Sequence, residues 1–245
     1  MFILKAQELR KQYGGRTVVD GVSFDVAEGE IVGLLGRNGA GKTTSFRMTI
    51  GMIQPDGGRL VFNGQDVTQL PMYQRAQRGM GYLAQEPSIF QRLTVEQNLH
   101  AILETRNLSR AERKRRADAL LERFDLAKIR GQHARLCSGG EKRKLEIARA
   151  LTTEPTLILL DEPFSGVDPV AVEGLQDEIR RLRAEDDIAM LITDHNVHHI
   201  LSVCDRAYVV SDGRIFAHGT PKALINNPLV RETYLGSTFR GDEFG

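Results

Sequence analysis

The sequence is poor in cysteine: Cys137 and Cys204 are its only two. Two thiols cannot supply a disulfide framework, which excludes small cross-linked secreted scaffolds and fits a reducing compartment. An excess of one charge is missing as well. Lys and Arg number 33 against 32 Asp and Glu, a net charge of +1, so the chain lacks the basic surplus a dedicated nucleic-acid binder needs. No run approaches the roughly 20 consecutive apolar residues that cross a bilayer, and the opening MFILKAQELRK lacks the layout of a signal peptide. There is no internal repeat and no low-complexity tract. What is present is 41% apolar and 27% charged residues over 245 positions, the balance of a globular protein with enough chain for a substantial core.

Short alternating runs on either side of Gly14-Gly15 predict antiparallel strands over residues 1–30. Glu30–Gly36 is an apolar run ending in glycine, followed by a Gly-rich loop and a helical pattern from Gly41 to Ile50. A further strand pair is expected at 58–64 and 80–85. From about 94 to 150 the texture becomes helical and highly charged, with Ala117, Leu120, Leu121 and Phe124 forming one apolar stripe. After Pro155 the β/α rhythm returns: LILL (157–160), a helix over Val170–Arg183, IAMLIT (188–193), a helix near His198–Val203, then AYVVS and RIFAHG. The expected fold class is α/β, with strands of both orientations and an inserted α-helical segment; short helices and a Gly-ended tail follow Gly219.

Gly36-Arg37-Asn38-Gly39-Ala40-Gly41-Lys42-Thr43 matches G-x-x-x-x-G-K-[ST] without a gap, in the strand–loop–helix context the motif requires. Glycines let the backbone wrap closely round an anion with successive N–H groups turned inward, and the following helix adds its positive end. Lys42 then reaches the β- and γ-phosphates and the Thr43 hydroxyl ligates Mg²⁺, which predicts a nucleoside-triphosphate site. LILLDEP sets Asp161 and Glu162 at a strand end, Asp161 to hold the metal and Glu162 to polarise an attacking water. Ser138-Gly139-Gly140-Glu141 opens a helix and offers a second anion site: exposed N–H groups, a hydroxyl and a dipole end.

In this order the motifs resemble those of ABC-transporter ATP-binding subunits: Tyr13, the loop 36–43, Gln85, Ser138-Gly139-Gly140, Asp161-Glu162, Ser165-Gly166-Val167-Asp168 and His195, covering about residues 3 to 240. The resemblance implies a P-loop NTPase core with an N-terminal antiparallel β subdomain and an inserted α-helical subdomain. It implies one domain over 1–245: a core at about 1–85 and 151–235, a helical subdomain at about 86–150, and a tail at 236–245. It further implies that Tyr13 stacks on adenine and that nucleotide contacts run through Gly36, Arg37, Asn38, Gly39, Ala40, Gly41, Lys42, Thr43 and Thr44. Gln85 would touch metal and water and His195 the γ-phosphate. Ser138, Gly139 and Gly140 would bind the ATP of the opposite subunit in a head-to-tail homodimer. Cys137 departs from the pattern, since the family usually places Leu before the signature serine.

Within the family, GYLAQEPSIFQRLTVEQNL (81–99), LLDEPFSGVDP, ITDHNV (192–197) and YLGSTFR (234–240) are similar to subunits that drive lipopolysaccharide export at the inner membrane of Gram-negative envelopes. Branched-chain amino-acid importers, the competing subfamily, usually lack this YLG tail; a soluble non-transport ABC ATPase is a further alternative. The export reading implies a subunit peripheral on the cytoplasmic face of that membrane, paired with two integral membrane permease subunits. Ile89 and Phe90, apolar residues after Gln85, are the expected docking point. Three features receive ordinary readings: Arg110, Arg113, Lys114, Arg115 and Arg116 as a solvated helix face, Cys137 as a small packing residue, and His198 and His199 as surface residues, with no zinc site.

Overall fold

The structure, a computed structural model, describes residues 1–86 and 88–236. The N-terminal alternating runs form β1 (Phe2–Tyr13) and β2 (Arg16–Ala27), an antiparallel hairpin turned by Gly14 and Gly15 at φ 54° and 81°. The apolar run that follows is β3 (Ile31–Gly36), buried at every position, as a strand covered on both faces must be. Then come α1 (Lys42–Ile50), β4 (Gly57–Phe62), β5 (Gln65–Asp66), α2 (Met72–Gln77) and β6 (Met80–Leu83). The helical stretch holds α3 (Val95–Leu103), α4 (Arg110–Arg123) and α5 (Gly139–Leu151). The chain continues through β7 (Leu157–Asp161), α6 (Pro169–Asp186), β8 (Ala189–Thr193), α7 (Val197–Leu201), β9 (Arg206–Ser211), β10 (Arg214–Gly219), α8 (Pro221–Asn226) and α9 (Pro228–Val230).

Two sheets result. A four-stranded antiparallel sheet runs β2-β1-β4-β5, and a six-stranded sheet runs β10-β9-β3-β8-β7-β6. In the second, β9, β3, β8, β7 and β6 are parallel and only β10 is antiparallel. The predicted pairing of 58–64 with 80–85 does not occur: β4 bonds to β1 and β5, whereas β6 joins the far edge of the parallel sheet beside β7. Alternation recognises a strand but carries no address for its partner, and α2 carries the chain from one sheet to the other.

Period-two side-chain alternation divides the interior. Val32, Leu34, Leu157, Leu159 and Leu191 face a core shared with the antiparallel sheet and α1. Ile31, Leu35, Ile158, Leu160, Met190 and Ile192 face the opposite core, which takes in α3–α6 and the terminal helices. Ala117 and Leu121 of α4, and Phe124 just beyond its end, are buried in the latter with Leu120 packed against it, while Lys114, Arg115 and Arg116 pair with Asp118, Glu112 and Glu154 at the surface.

Arg75 of α2 is fully buried and ties α1 in place. It donates to the carbonyls of Met48 and Thr49 at 2.7 Å each, Leu70 at 2.8 Å and Thr68 at 3.0 Å. Met48 and Thr49 lie in the last turn of α1, where carbonyls run short of helical partners, Met48 keeping a 3.2 Å bond from the Gly51 N–H, and the dipole is negative. Burial lowers the guanidinium to about 10, which leaves it charged at neutral pH.

Candidate functional site

Parallel strands deliver their C-terminal ends to one edge of a sheet, and ligands bind in the crevice there. In this sheet β3 ends in the Gly36–Thr43 loop, β8 in Asp194-His195, β7 in Asp161-Glu162, and β6 two residues before Gln85. Register sets the middle strands level, with Asp161 opposite Thr193 and Leu34 opposite Thr193. Four segments distant in sequence therefore meet.

The loop is held open by its glycines. Gly41 has φ 103°, and a Cβ there would lie 2.7 Å from the Val18 carbonyl, so only glycine fits against β2. The Ala40 carbonyl accepts the Gly213 N–H at 3.0 Å, and the Gly213 carbonyl accepts the Asp20 N–H at 2.8 Å, which fastens the loop to β2 and to the turn between β9 and β10. Lys42 is buried, and its Nζ donates to the carbonyls of Gly36 at 2.5 Å and Arg37 at 3.0 Å. Burial lowers its pKa, against the pull of Glu162 and Asp194. A cleft of about 270 Å³ is lined by Val18, Asn38, Gly39, Gly41, Lys42, Thr43, Thr44 and Glu162.

The two acidic groups at the end of β7 differ in setting: Glu162 lines that cleft and Asp161 does not. Asp161 is buried at the end of β7 and its Oδ2 accepts the Tyr82 hydroxyl at 3.3 Å. Burial raises the Asp161 carboxyl and pushes the Tyr82 phenol up to about 12. Glu162 has φ 45°, an uncommon conformation for a side chain of its size, and its N–H donates to the Thr193 carbonyl at 2.7 Å. That turn carries its carboxylate away from Asp161 into the cleft, where Oε2 accepts Gln85 Nε2 at 2.8 Å and lies 3.6 Å from His195 Nδ1. His195 Nδ1 is also 3.2 Å from Oδ1 of the fully buried Asp194. Asp194 in turn accepts the N–H groups of Phe164 and Asn196, so the segment bearing His195 is fixed from below.

Ser138 caps α5, accepting the Glu141 N–H at 3.3 Å while Glu141 Oε2 accepts the Ser138 N–H at 2.7 Å. Ser138, Gly139 and Gly140 are exposed, and a Cβ at either glycine would meet nothing within 4 Å. Gly139 and Gly140 line a second cleft of about 530 Å³, which also takes in Gln85 and Glu162 but does not include the Gly36–Thr43 loop. Within one chain the structure therefore gathers the loop, Asp161, Glu162, Gln85 and His195, and Gly139 and Gly140 share a cleft with Gln85 and Glu162 but not with the loop.

Tyr13 ends β1 half-exposed, with Lys11 Nζ 5.6 Å from its ring centre; it does not line the loop cleft, whereas Val18 does. Gln85 lies beyond β6 rather than in it. Ile89 is buried in the core, which removes it from the surface pair expected for docking; Phe90 stays exposed, under the Arg149 guanidinium at 4.7 Å. Cys137 is buried, with Gln132 Nε2 3.5 Å from its Sγ. His199 is half-buried: it packs edge-on against Phe164 at 5.3 Å and contacts Asn196, and burial lowers its pKa. Tyr82 and Asp194 escaped the sequence reading. Tyr82 is an alternating residue inside a predicted strand, and Asp194 is distinguished only by adjoining His195 at a strand end.

Known proteins resemble this chain throughout its length. Residues 19–165 match the family model described as ABC transporter. The chain is 51% identical to the lipopolysaccharide export system ATP-binding protein LptB of Haemophilus influenzae, covering 98% of this chain and 100% of that one. It is 49% identical to the protein of the same name from Escherichia coli K12, with coverage of 98% and 100%. Among solved structures it is similar to the ADP conformation of MJ1267, an ATP-binding cassette of an ABC transporter, with TM-score 0.86, 29% identity and coverage of 96% and 99%. It is also similar to cbiO1 from Clostridium perfringens, part of the ABC transporter complex cbiONQ, with TM-score 0.84, 28% identity and coverage of 91% and 90%.

Proposed function

The chain belongs to the ABC transporter ATP-binding family, and from that premise we propose that it hydrolyses ATP to power lipopolysaccharide extraction and export from the inner membrane. The observation that carries the chemistry is the meeting of Lys42, Asp161, Glu162, Gln85 and His195 at one sheet edge. The cargo rests on about half of all positions being shared, over nearly the whole chain, with proteins named for lipopolysaccharide export.

In this reading the loop N–H groups and Lys42 cradle the β- and γ-phosphates, with Gly36–Thr43 and Thr44 forming the binding wall and Tyr13 facing the adenine. The Thr43 hydroxyl, the Gln85 amide oxygen and the Asp161 carboxylate are hard oxygen donors, the set that suits Mg²⁺ beside phosphates. The ion, when bound, neutralises charge on the phosphate oxygens. Glu162 orients the attacking water and accepts its proton, and Gln85 and His195, both within reach of its Oε2, hold that carboxylate and meet the γ-phosphate. Gly139 and Gly140 do not line the phosphate-loop cleft of their own chain, and in this reading the site is completed by a second copy arranged with two-fold symmetry. Each ATP joins the loop of one copy to the turn of the other, and hydrolysis removes the charge that joins them.

We read the chain as one domain, its core at about 1–85 and 151–235 and its helical part at about 86–150. The tail at 236–245 lies, from 237 onward, outside the described residues. No helix among the described residues is long and apolar enough to cross a membrane, so the cargo path belongs to two integral membrane permease subunits. Phe90 is the contact we assign to them, with this chain peripheral on the cytoplasmic face. Glu162→Gln tests the cycle: ATP hydrolysis is expected to fall by about 10²–10⁴-fold while ATP binding persists and a dimer accumulates on size exclusion. Hydrolysis near the wild-type rate would remove Glu162 from its role.

A further inference from the structure

The end of the described chain makes one contact that the proposed cycle leaves unused. After α9 comes a π-helical turn, Arg231–Leu235, in which the Gly236 N–H donates to the Arg231 carbonyl at 2.8 Å. Such a turn holds one residue more than an α-turn and re-aims its side chains, often at functional positions. Here it directs Tyr234 inward, so that Tyr234 Oη accepts the Gly36 N–H at 3.0 Å. The segment presenting it is anchored: Leu224, Ile225 and Val230 are buried in the main core, and Thr220 and Asn227 cap α8 and α9.

Gly36 is where β3 becomes the phosphate loop. A Cβ there would lie 2.3 Å from the Val210 carbonyl, so its backbone path against β9 is fixed. Its two peptide groups have separate holds: the N–H is bound by Tyr234 and the carbonyl by Lys42 Nζ. A lysine that turns its donors to phosphate loosens its bond to the Gly36 carbonyl, and Tyr234 then holds the N–H side of that residue beside its pairing with β9. Burial, with Asp194 nearby, pushes the phenol up to about 12, so at physiological pH it is a neutral acceptor.

We propose that Tyr234 is a positioning residue for ATP binding, through which the C-terminal segment fixes the first peptide of the phosphate loop in its nucleotide-ready orientation. The proposal rests on reading Gly36–Thr43 as the nucleotide loop. A pre-set loop binds without first being ordered, so loss of the hold weakens ground-state and transition-state binding alike, which raises KM and leaves kcat.

Tyr234→Phe removes the acceptor and keeps the packed ring. The expected result for the full-length chain is a rise of about five- to tenfold in KM for ATP and in Kd for MgADP, with kcat within about twofold and Tm within a few degrees. The Gly36 amide should also exchange with deuterium faster than in wild type. Unchanged KM and unchanged exchange would overturn the proposal, as would kcat and Tm falling together at constant KM, the mark of a packing role alone. Wild-type protein that bound no nucleotide would instead refute the nucleotide reading, and Gly36 exchange would still decide whether Tyr234 holds the loop.

Discussion

Lys42 is a buried ammonium whose hydrogen bonds go to two carbonyls, not to a carboxylate. Desolvation is the leading influence on it and lowers its pKa, so the charge is held at some expense to the empty fold. Lys42→Met keeps the apolar stem and removes the charge, so it separates the two roles. Charge-assisted hydrogen bonds contribute about 1.5–3 kcal/mol each. Two to anionic phosphate oxygens, at the upper end of that range, less the two to the neutral carbonyls of Gly36 and Arg37, at its lower end, leave a net of about 3 kcal/mol, or roughly 150-fold in Kd. At MgATP about 100 times the wild-type Kd, binding stabilises the wild type by about 2.7 kcal/mol, which for a chain of this size is about 5–11 °C in Tm. At the same concentration the variant gains about 0.3 kcal/mol, near 1 °C. Without nucleotide its Tm should equal or exceed that of wild type. Thermal unfolding with and without MgATP, with calorimetric titration, reads both quantities. A variant that lost stability when empty yet kept the full nucleotide-induced shift would refute the argument.

Three further outcomes follow from named contacts. Asp161→Asn should raise the Tm of the nucleotide-free protein at neutral pH. The folded pKa of Asp161 lies above 3.8, so its penalty is fully present above the folded value and gone below pH 3.8, and the variant's advantage should shrink as unfolding is followed from pH 8 toward 4; a variant less stable than wild type at neutral pH would count against it. Arg75→Met should cost about 3–5 kcal/mol in chemical denaturation, because four buried carbonyls lose their donor together, and a loss under about 1 kcal/mol would show that they find other partners. Phe90→Ala should leave ATP affinity unchanged and reduce co-purification with the membrane subunits, while undiminished assembly would exclude Phe90 as their contact.

Much of the site was legible because its chemistry is local. The phosphate loop is eight consecutive residues whose glycines meet backbone constraints, and Asp161, Glu162 and His195 follow apolar strands that any reading marks as buried. What failed was local information extended across space. The runs at 58–64 and 80–85 are both strands, yet they belong to different sheets, because hydrophobic pattern fixes which face is buried and not which edge is joined. Ile89 and Phe90 looked equivalent, and packing buried one and left the other in solvent.

The sequence by itself determined the strand–loop–helix, the acidic strand end, the capped serine-glycine turn and the order in which they occur. These are properties of residue type at short spacing, where backbone sterics and capping act within a few positions. Tertiary structure alone decided that Arg75 closes the end of α1, that Glu162 turns from Asp161 toward Gln85, and that Tyr234 reaches Gly36 across 198 positions. Each of these depends on a donor and an acceptor that chain folding brings together, and no interval of sequence encodes that meeting.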